Sequence, residues 1–365
     1  MISERIRQMK ESGIRKIFNQ AASLKGEIIN FSIGQPDFLA NEKLKSNLKK
    51  AVDQNKNTYT PTLGIPELRK RIAQKLNQKN NIPAKEEEII VTSGASGGIF
   101  LALGCLIDPG DEVILPDPYF VLYKQILTFL GAKIIYNDTY PDFRLNLKKL
   151  KSQITKKTKL VIINSPNNPT GMVYSKQELS ELKKILQPQK IPVLSDEIYE
   201  PFDYDKKFFS IASIYKKTIT INGFSKTHSI TGWRIGYLHT FDKKLLDQIN
   251  KLQQYTFVCA PSMVQFALCD SFGSNLNKHI RKYKQKRDYL FENLKNKFNL
   301  NRTQGAFYAF VEIPKNQKNF HQKLLQKNIL TVPGSVFSEK ASHFRISFAV
   351  ADEVLEKGVE ILKKI

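Results

Sequence analysis

The sequence has little cysteine, one tryptophan, few acids for its bases and no long apolar run. Its three cysteines, Cys105, Cys259 and Cys269, form no CxxC pair and no zinc-type spacing, so neither a disulfide framework nor a zinc module is expected. Cys105 and Cys259 lie in apolar stretches and read as small buried side chains. No apolar run approaches the roughly eighteen residues of a membrane span. The amino terminus, MISERIRQMKESGIRKIF, lacks the apolar core of a secretory signal. A cytoplasmic protein without a membrane partner is the expectation. Acids are scarce: 34 Asp+Glu against 57 Lys+Arg leave a formal net charge of +23. The bases are spread among Asn, Gln, Ile and Leu rather than gathered into an arm or stripe. That reads as a cationic surface, without a specific nucleic-acid site.

What the chain does have is 365 residues, 41% of them hydrophobic, enough for two or three domains' worth of core. Short β-branched runs alternate with helical patterns through its middle: IIVT (89–92), EVIL (112–115), KIIY (133–136), LVIIN (160–164), IPVLS (191–195), TITIN (218–222) and IGYL (235–238). Helices are expected between several of them, for example at 97–107 and 176–186. Such alternation predicts the α/β class, a mostly parallel seven-stranded sheet with helices on both faces. From about residue 285 the pattern changes to an amphipathic helix (287–297), then AFYAFVEI (306–313), LTVPG (330–334), HFRISFA (343–349) and a last helix (352–365), a smaller α+β unit. The expected division is an arm with part of the small domain (1–40), a large domain (41–284) and a small one (285–365).

Ligands in open α/β sheets gather at the carboxyl ends of the strands, so the residues just past each run are informative. SGASGG (93–98) is a tight turn or an anion-binding helix start. PDPYF (116–120) displays Tyr119 and Phe120, for the core or for stacking on a flat heterocycle. SPNNPTG (165–171) places Asn167 and Asn168 in a stiff loop. In DEIYE (196–200), Asp196 comes after an apolar run, where a carboxylate needs either a cation or an N-cap role, and Tyr199 stands three residues on. NGFSKTHSITGWRIGY (222–237) carries Lys226 and Arg234. Each has an ordinary reading, but together they supply an anion site, an aromatic plate, an amide, an acid with a phenol, and an amine with a guanidinium. Those parts hold a phosphorylated, pyridine-like aldehyde and attach it to an amine.

YTPTLGIPELR (59–69), SPNNPTG, SDEIY (195–199) and GFSKTHSITGWRIGY (223–237), in this order, resemble the class I aminotransferases of fold type I, which depend on pyridoxal 5'-phosphate (PLP). SGIRKIFNQAASLKGEIINFSIGQPDF (12–38) and FRISFA (344–349) extend the resemblance over nearly the whole chain. It implies that Lys226 attaches PLP as a Schiff base and that Asp196 pairs with the ring nitrogen. Tyr199 and Asn168 would bond the phenolic oxygen, with Phe120 on the ring face. Arg234, helped by Ser225 or the amides of Ala95 and Ser96, would hold the phosphate. Tyr59 would reach the cofactor of a second subunit, implying a homodimer with shared sites. Arg345 would grip the α-carboxylate beside Asn168, with the loop at Gly34 closing over it, and no residue serves a metal.

The implied reaction passes an amino group between an L-amino acid and a 2-oxo acid in ping-pong fashion. The sequence departs from many relatives three residues before the lysine, where Gly223 replaces a serine. Related folds also serve β-lyases and, with an added DNA-binding domain, regulators. The match begins near Ser12, which is not the pattern of such regulators.

Overall fold

The computed structural model describes residues 1–21, 26–273 and 275–365. Residues 22–25 of the amino-terminal motif therefore lie outside the described residues. The first strand, β1 (Ile29–Asn30), belongs to the arm. The large sheet comes next: β2 (Ile89–Thr92), β3 (Glu112–Asp117), β4 (Lys133–Asp138), β5 (Thr158–Asn164), β6 (Val193–Asp196), β7 (Thr218–Gly223) and β8 (Gly236–Thr240). Their spatial order is β2-β8-β7-β6-β5-β3-β4. Only β8 runs against its neighbours; the other pairings are parallel.

Parallel strands buried on both faces read as continuous apolar runs, and β5 illustrates why. Leu160 and Ile162 pack into a core with helices Gly94–Leu106 and Lys243–Thr256, whereas Val161 and Ile163 face the opposite core with helix Lys176–Leu186. Parallel register brings Asn164 of β5 beside Asp196 of β6, and Asp196 beside Ile221 of β7. The chemistry-bearing strand ends thus share one edge.

Several boundaries differ from the sequence expectation. Asp196 closes β6 instead of lying beyond it, and Pro116 and Asp117 still belong to β3. Ladder bonds to neighbours carry both strands past their apolar residues. Helix Gly94–Leu106 starts inside SGASGG, so those small residues form its first turns. Cys105 and Cys259 are only half-buried, and it is Cys269 that is buried; the apolar surroundings of the first two belong to helix and loop faces that are partly open.

The second sheet, β9 (Tyr308–Glu312), β10 (Ile329–Leu330), β11 (Val332–Pro333) and β12 (His343–Ser347), is split. β11, β12 and β9 pair antiparallel, while β10 pairs in parallel with β1. The arm is thereby fastened to the carboxyl-terminal unit, and its Lys10 N–H also reaches Gln125 at 2.9 Å. Helices Asn277–Leu294 and Asp352–Lys364 cover this sheet over a core rich in phenylalanine, including Phe298, Phe307, Phe344 and Phe348. The first of these helices starts ten residues before the expected 287 and runs through the expected 284/285 boundary.

Candidate active site

A cavity of about 230 Å³ opens where the carboxyl edge of the large sheet meets the arm and the second sheet. Ala95, Ser96, Phe120, Asn168, Asp196, Tyr199, Ser225, Lys226, Arg234, Arg345 and Gly34 all line it. Tyr59 does not; its side chain is 84% exposed on the outer surface. Gly34 and Arg345, from opposite ends of the chain, meet there only because the fold returns the arm and the second sheet to the first.

Lys226 lies just past β7, and its Nζ donates to the carbonyl of Gly34 at 2.6 Å and lies 5.8 Å from the Tyr199 ring. Burial lowers its pKa to about 8, helped by the guanidiniums of Arg345 and Arg234 and opposed by Asp196. An amine with that pKa has a useful free-base fraction near neutrality. Asp196 goes the other way: burial raises its carboxyl to about 6, against hydrogen bonds from the Tyr123 hydroxyl at 2.6 Å and the Ile198 N–H at 3.2 Å and the charge of Lys226. A cation introduced beside Asp196 would favour its ionised form.

Arg234 has a left-handed backbone (φ 56°) and donates to the Thr231 carbonyl at 2.8 Å. A Cβ on Gly94 would stand 2.7 Å from its Nη2. The glycine thus lets a guanidinium lie against the first turn of helix Gly94–Leu106, where amide N–H groups have no intrahelical partner. Guanidinium and helix N-terminus together make an anion seat.

At the other end, Arg345 of β12 is 1% exposed. It donates to Asn168 Oδ1 at 3.0 Å and to the Ser32 carbonyl at 2.7 Å, between the rings of Tyr308 (4.5 Å) and Phe337 (4.7 Å). Its Nε has no partner among the described residues. Asn168 is fixed by its own N–H on Asn164 Oδ1 at 2.8 Å, and Asn164 Nδ2 donates to the Asp196 carbonyl at 2.9 Å. The Tyr199 and Tyr308 hydroxyls bond each other at 2.7 Å.

The sequence alone does not single out Tyr123, Tyr308, Asn164 or Thr231. Tyr123 stands one helical turn after Phe120, and its ring meets that of Phe120 edge-on at 5.7 Å; the (i, i+3) spacing is its only signal. Tyr308 sits in an alternating strand, where every second residue reads as core.

The chain matches the family model described as aminotransferase class I and II over residues 26–362. A probable aspartate aminotransferase of Methanocaldococcus jannaschii is 42% identical, with all of both chains covered. An aromatic-amino-acid aminotransferase of Thermococcus litoralis is 34% identical over 100% of this chain and 98% of that one. Among solved structures, the aspartate aminotransferase of Thermotoga maritima superposes with a TM-score of 0.95 at 31% identity, and an alanine aminotransferase of Pyrococcus furiosus with 0.94 at 31%. Each comparison covers 100% of this chain and 99% of the other.

Proposed function

The chain belongs to the class I and II aminotransferases, and on that premise we propose that its cavity seats PLP on Lys226 and that the residues around it perform the transfer. The enzyme moves an amino group between an amino acid and a 2-oxo acid. The donor set fits the cofactor. The cradle left by Gly94 beneath Arg234 suits a phosphate, Lys226 suits an aldehyde, and Phe120 offers a flat ring face. Bound PLP would supply a carbonyl for the amine and an electron-withdrawing ring that stabilises charge at a substrate α-carbon.

The protein's own contributions rest on the geometry. Arg234 and the amides of Ala95 and Ser96 would hold the phosphate, with Ser225 alongside. Asp196, oriented by Tyr123, would keep a proton on the ring nitrogen, because a carboxylate beside that nitrogen raises its pKa. Tyr199 and Asn168 would serve the phenolic oxygen. Arg345 takes the substrate α-carboxylate as a planar fork, a task an ammonium cannot copy. With PLP bound, Lys226 would be the base placed to take the proton from the substrate α-carbon onto its Nζ and to give it up again from there. Gly34, whose carbonyl accepts from Lys226, and Ile14 of the arm line the cavity beside it.

Tyr59 requires a second copy. Its exposure, together with that of Tyr255 (84%), Phe257 (37%) and Val258 (42%), leaves these hydrophobic side chains uncovered. The Gln253 side chain donates to the Thr62 carbonyl, which holds these two segments side by side. A homodimer burying that surface would carry Tyr59 to the partner's phosphate site.

The observation that carries the reading is the convergence of Lys226, Asp196, Arg234 and Arg345 on one cavity. Its test is the reconstituted enzyme with a panel of amino acids and 2-oxo acids, analysed for new amino and oxo acid pairs. Release of ammonia and pyruvate in place of such pairs would identify a β-lyase and overturn transfer.

A further inference from the structure

Glu339 follows β11 and the turn Gly334–Val336, two residues after Phe337. Phe337 is one of the two rings that flank the Arg345 guanidinium. Facing it is the segment between β3 and helix Val121–Phe129, which carries Phe120. The two segments are bonded to each other. The Tyr119 N–H donates to the Phe337 carbonyl at 2.8 Å, and the Glu339 N–H to Asp117 Oδ2 at 3.2 Å. Glu339 adds its side chain: Oε1 accepts from the Tyr119 hydroxyl and from Lys124 Nζ, each at 2.6 Å. Burial opposes its charge, but the bonds from Lys124 and Tyr119 hold its carboxyl below the ordinary value. It is therefore ionised near neutrality, and the bonds it accepts are charge-assisted.

Its two donors bracket the residues that face the cavity. Phe120 directly follows Tyr119, and Tyr123 directly precedes Lys124. Phe120 meets Tyr123 edge-on at 5.7 Å, and the Tyr123 hydroxyl donates to Asp196 Oδ2 at 2.6 Å. One carboxylate oxygen thus ties down both ends of the helix's first turn. That fixes the angle of Phe120 and the reach of Tyr123 to Asp196. Tyr119 is 2% exposed and its ring stacks on Tyr136 at 5.6 Å, so packing holds the ring and its hydroxyl is the point through which Glu339 acts. The neighbouring Lys340 bridges to the large sheet as well, at Asp138 (2.7 Å), but Asp138 ends β4 and is not part of the segment that carries Phe120.

We propose that Glu339 is a positioning residue for the transfer reaction: by holding Tyr119 and Lys124 together it sets Phe120 against the cofactor ring and Tyr123 on Asp196. The proposal rests on the aminotransferase reading. It concerns the ring side of the cavity. Arg345 has its own anchors on Asn168 and the Ser32 carbonyl, so the α-carboxylate seat does not run through the Glu339 side chain. Loss of Glu339 is therefore felt in cofactor affinity and in the rate of the bound donor, and not in how tightly the donor is held.

The test compares the parent with Glu339→Ala, Glu339→Gln, Tyr119→Phe, the double variant Tyr119→Phe/Glu339→Ala, and Lys340→Ala as the control. Titration of cofactor-free protein with PLP gives the affinity. Saturation of the half-reaction with the parent's best donor gives a limiting rate and a half-saturating concentration. Glu339→Ala should weaken PLP binding and lower the limiting rate by about tenfold each, the scale of losing a charge-assisted bond at a partly exposed carboxylate. Its half-saturating donor concentration should stay within about twofold of the parent's. Glu339→Gln keeps an oxygen that accepts from both donors and should recover to within about threefold of the parent. Tyr119→Phe removes only a hydroxyl and should cost about threefold in both quantities, which keeps the test open should Glu339→Ala not fold. The double variant should lose no more than Glu339→Ala, because the two changes remove one shared bond. Lys340→Ala should match the parent. Additive losses in the double variant, equal losses in Lys340→Ala, a glutamine variant as impaired as the alanine one, or a change confined to the half-saturating concentration would each overturn the inference alone. A parent protein that captures no PLP would take down the aminotransferase reading and this inference with it.

Discussion

Lys226 and Lys75 are both held at cavity walls near the same sheet edge, yet their amines are driven in opposite directions. Lys75, on helix Pro66–Asn80, contacts Glu200 directly and donates to the Tyr237 hydroxyl at 3.2 Å, while Asn80 also bonds Glu200. Burial would lower its pKa, but Glu200 and Tyr237 outweigh that and raise it well above the ordinary value. Lys226 suffers the same desolvation with two guanidiniums as neighbours and only Asp196 against them, and it falls to about 8. Burial alone does not make a lysine reactive; the sign of what surrounds it decides. Nor does room decide it. The cavity beside Lys75 is about 580 Å³, more than twice the 230 Å³ around Lys226.

The largest expected effect contrasts the two lysines directly. Lys226→Ala should cut turnover by more than roughly a thousandfold, since it removes attachment and proton transfer together, and it should abolish the visible absorbance of bound cofactor. Lys75→Met should keep that absorbance and bind PLP normally. Steady-state rates and absorbance spectra of both variants decide it. Equal losses in the two would erase the distinction.

Next in size is a stability effect on the other side of the comparison. Glu200→Gln keeps the shape but leaves the Lys75 ammonium without its counter-charge. Folding stability should fall by about 3 kcal/mol, toward the low end for breaking a buried pair because Lys75 borders an open cavity. Urea unfolding of cofactor-free protein measures it. A midpoint equal to that of the parent would mean that Tyr237 and solvent satisfy Lys75 unaided.

This contrast is partly legible in the sequence, and the boundary of legibility is physical. Lys226 stands in a stretch of small and polar residues just beyond an apolar strand, a local signal that survives without coordinates. The strands and the fold class are equally local, because a parallel sheet buried on both faces writes itself as runs such as LVIIN. Lys75 lies in PELRKRIAQKLNQKN, where it is one base among several on an amphipathic helix. Its partner Glu200 is 125 residues away, and no spacing rule connects them. Tyr308 is hidden for a similar reason. Strand alternation assigns it to the core, and only the pairing of Arg345 with Phe310 across β12 and β9 brings it beside the guanidinium. Helix Asn277–Leu294 starts earlier than the sequence indicates because its first residues, NKHIRKYKQK, are polar on most faces; Tyr283 is nonetheless buried against Phe202 and Phe307, Lys286 beside Asp37, and Arg287 on the Thr303 carbonyl. Lys286 meets Asp37 at 2.5 Å, a long-range ion pair that makes a basic stretch part of the interior.

The smallest expected effect is the finest probe of the comparison, because it asks whether the neighbours of Lys226 set its reactivity. Capture of PLP by cofactor-free protein requires the neutral amine. Below the pKa, each pH unit changes the neutral fraction tenfold; above it, the fraction saturates. With the Lys226 amine at about 8, the capture rate should climb through pH 7 and level off just above 8. A lysine at its ordinary value near 10.4 would keep climbing for about two further units. Burial is the largest cause of the depression and Arg345 the next, so Arg345→Gln should move the plateau upward only in part. Stopped-flow absorbance across this range tracks both proteins. If the parent rate still rises steeply beyond pH 9, the two guanidiniums do not tune the amine, and Lys226 differs from Lys75 only in what it can reach.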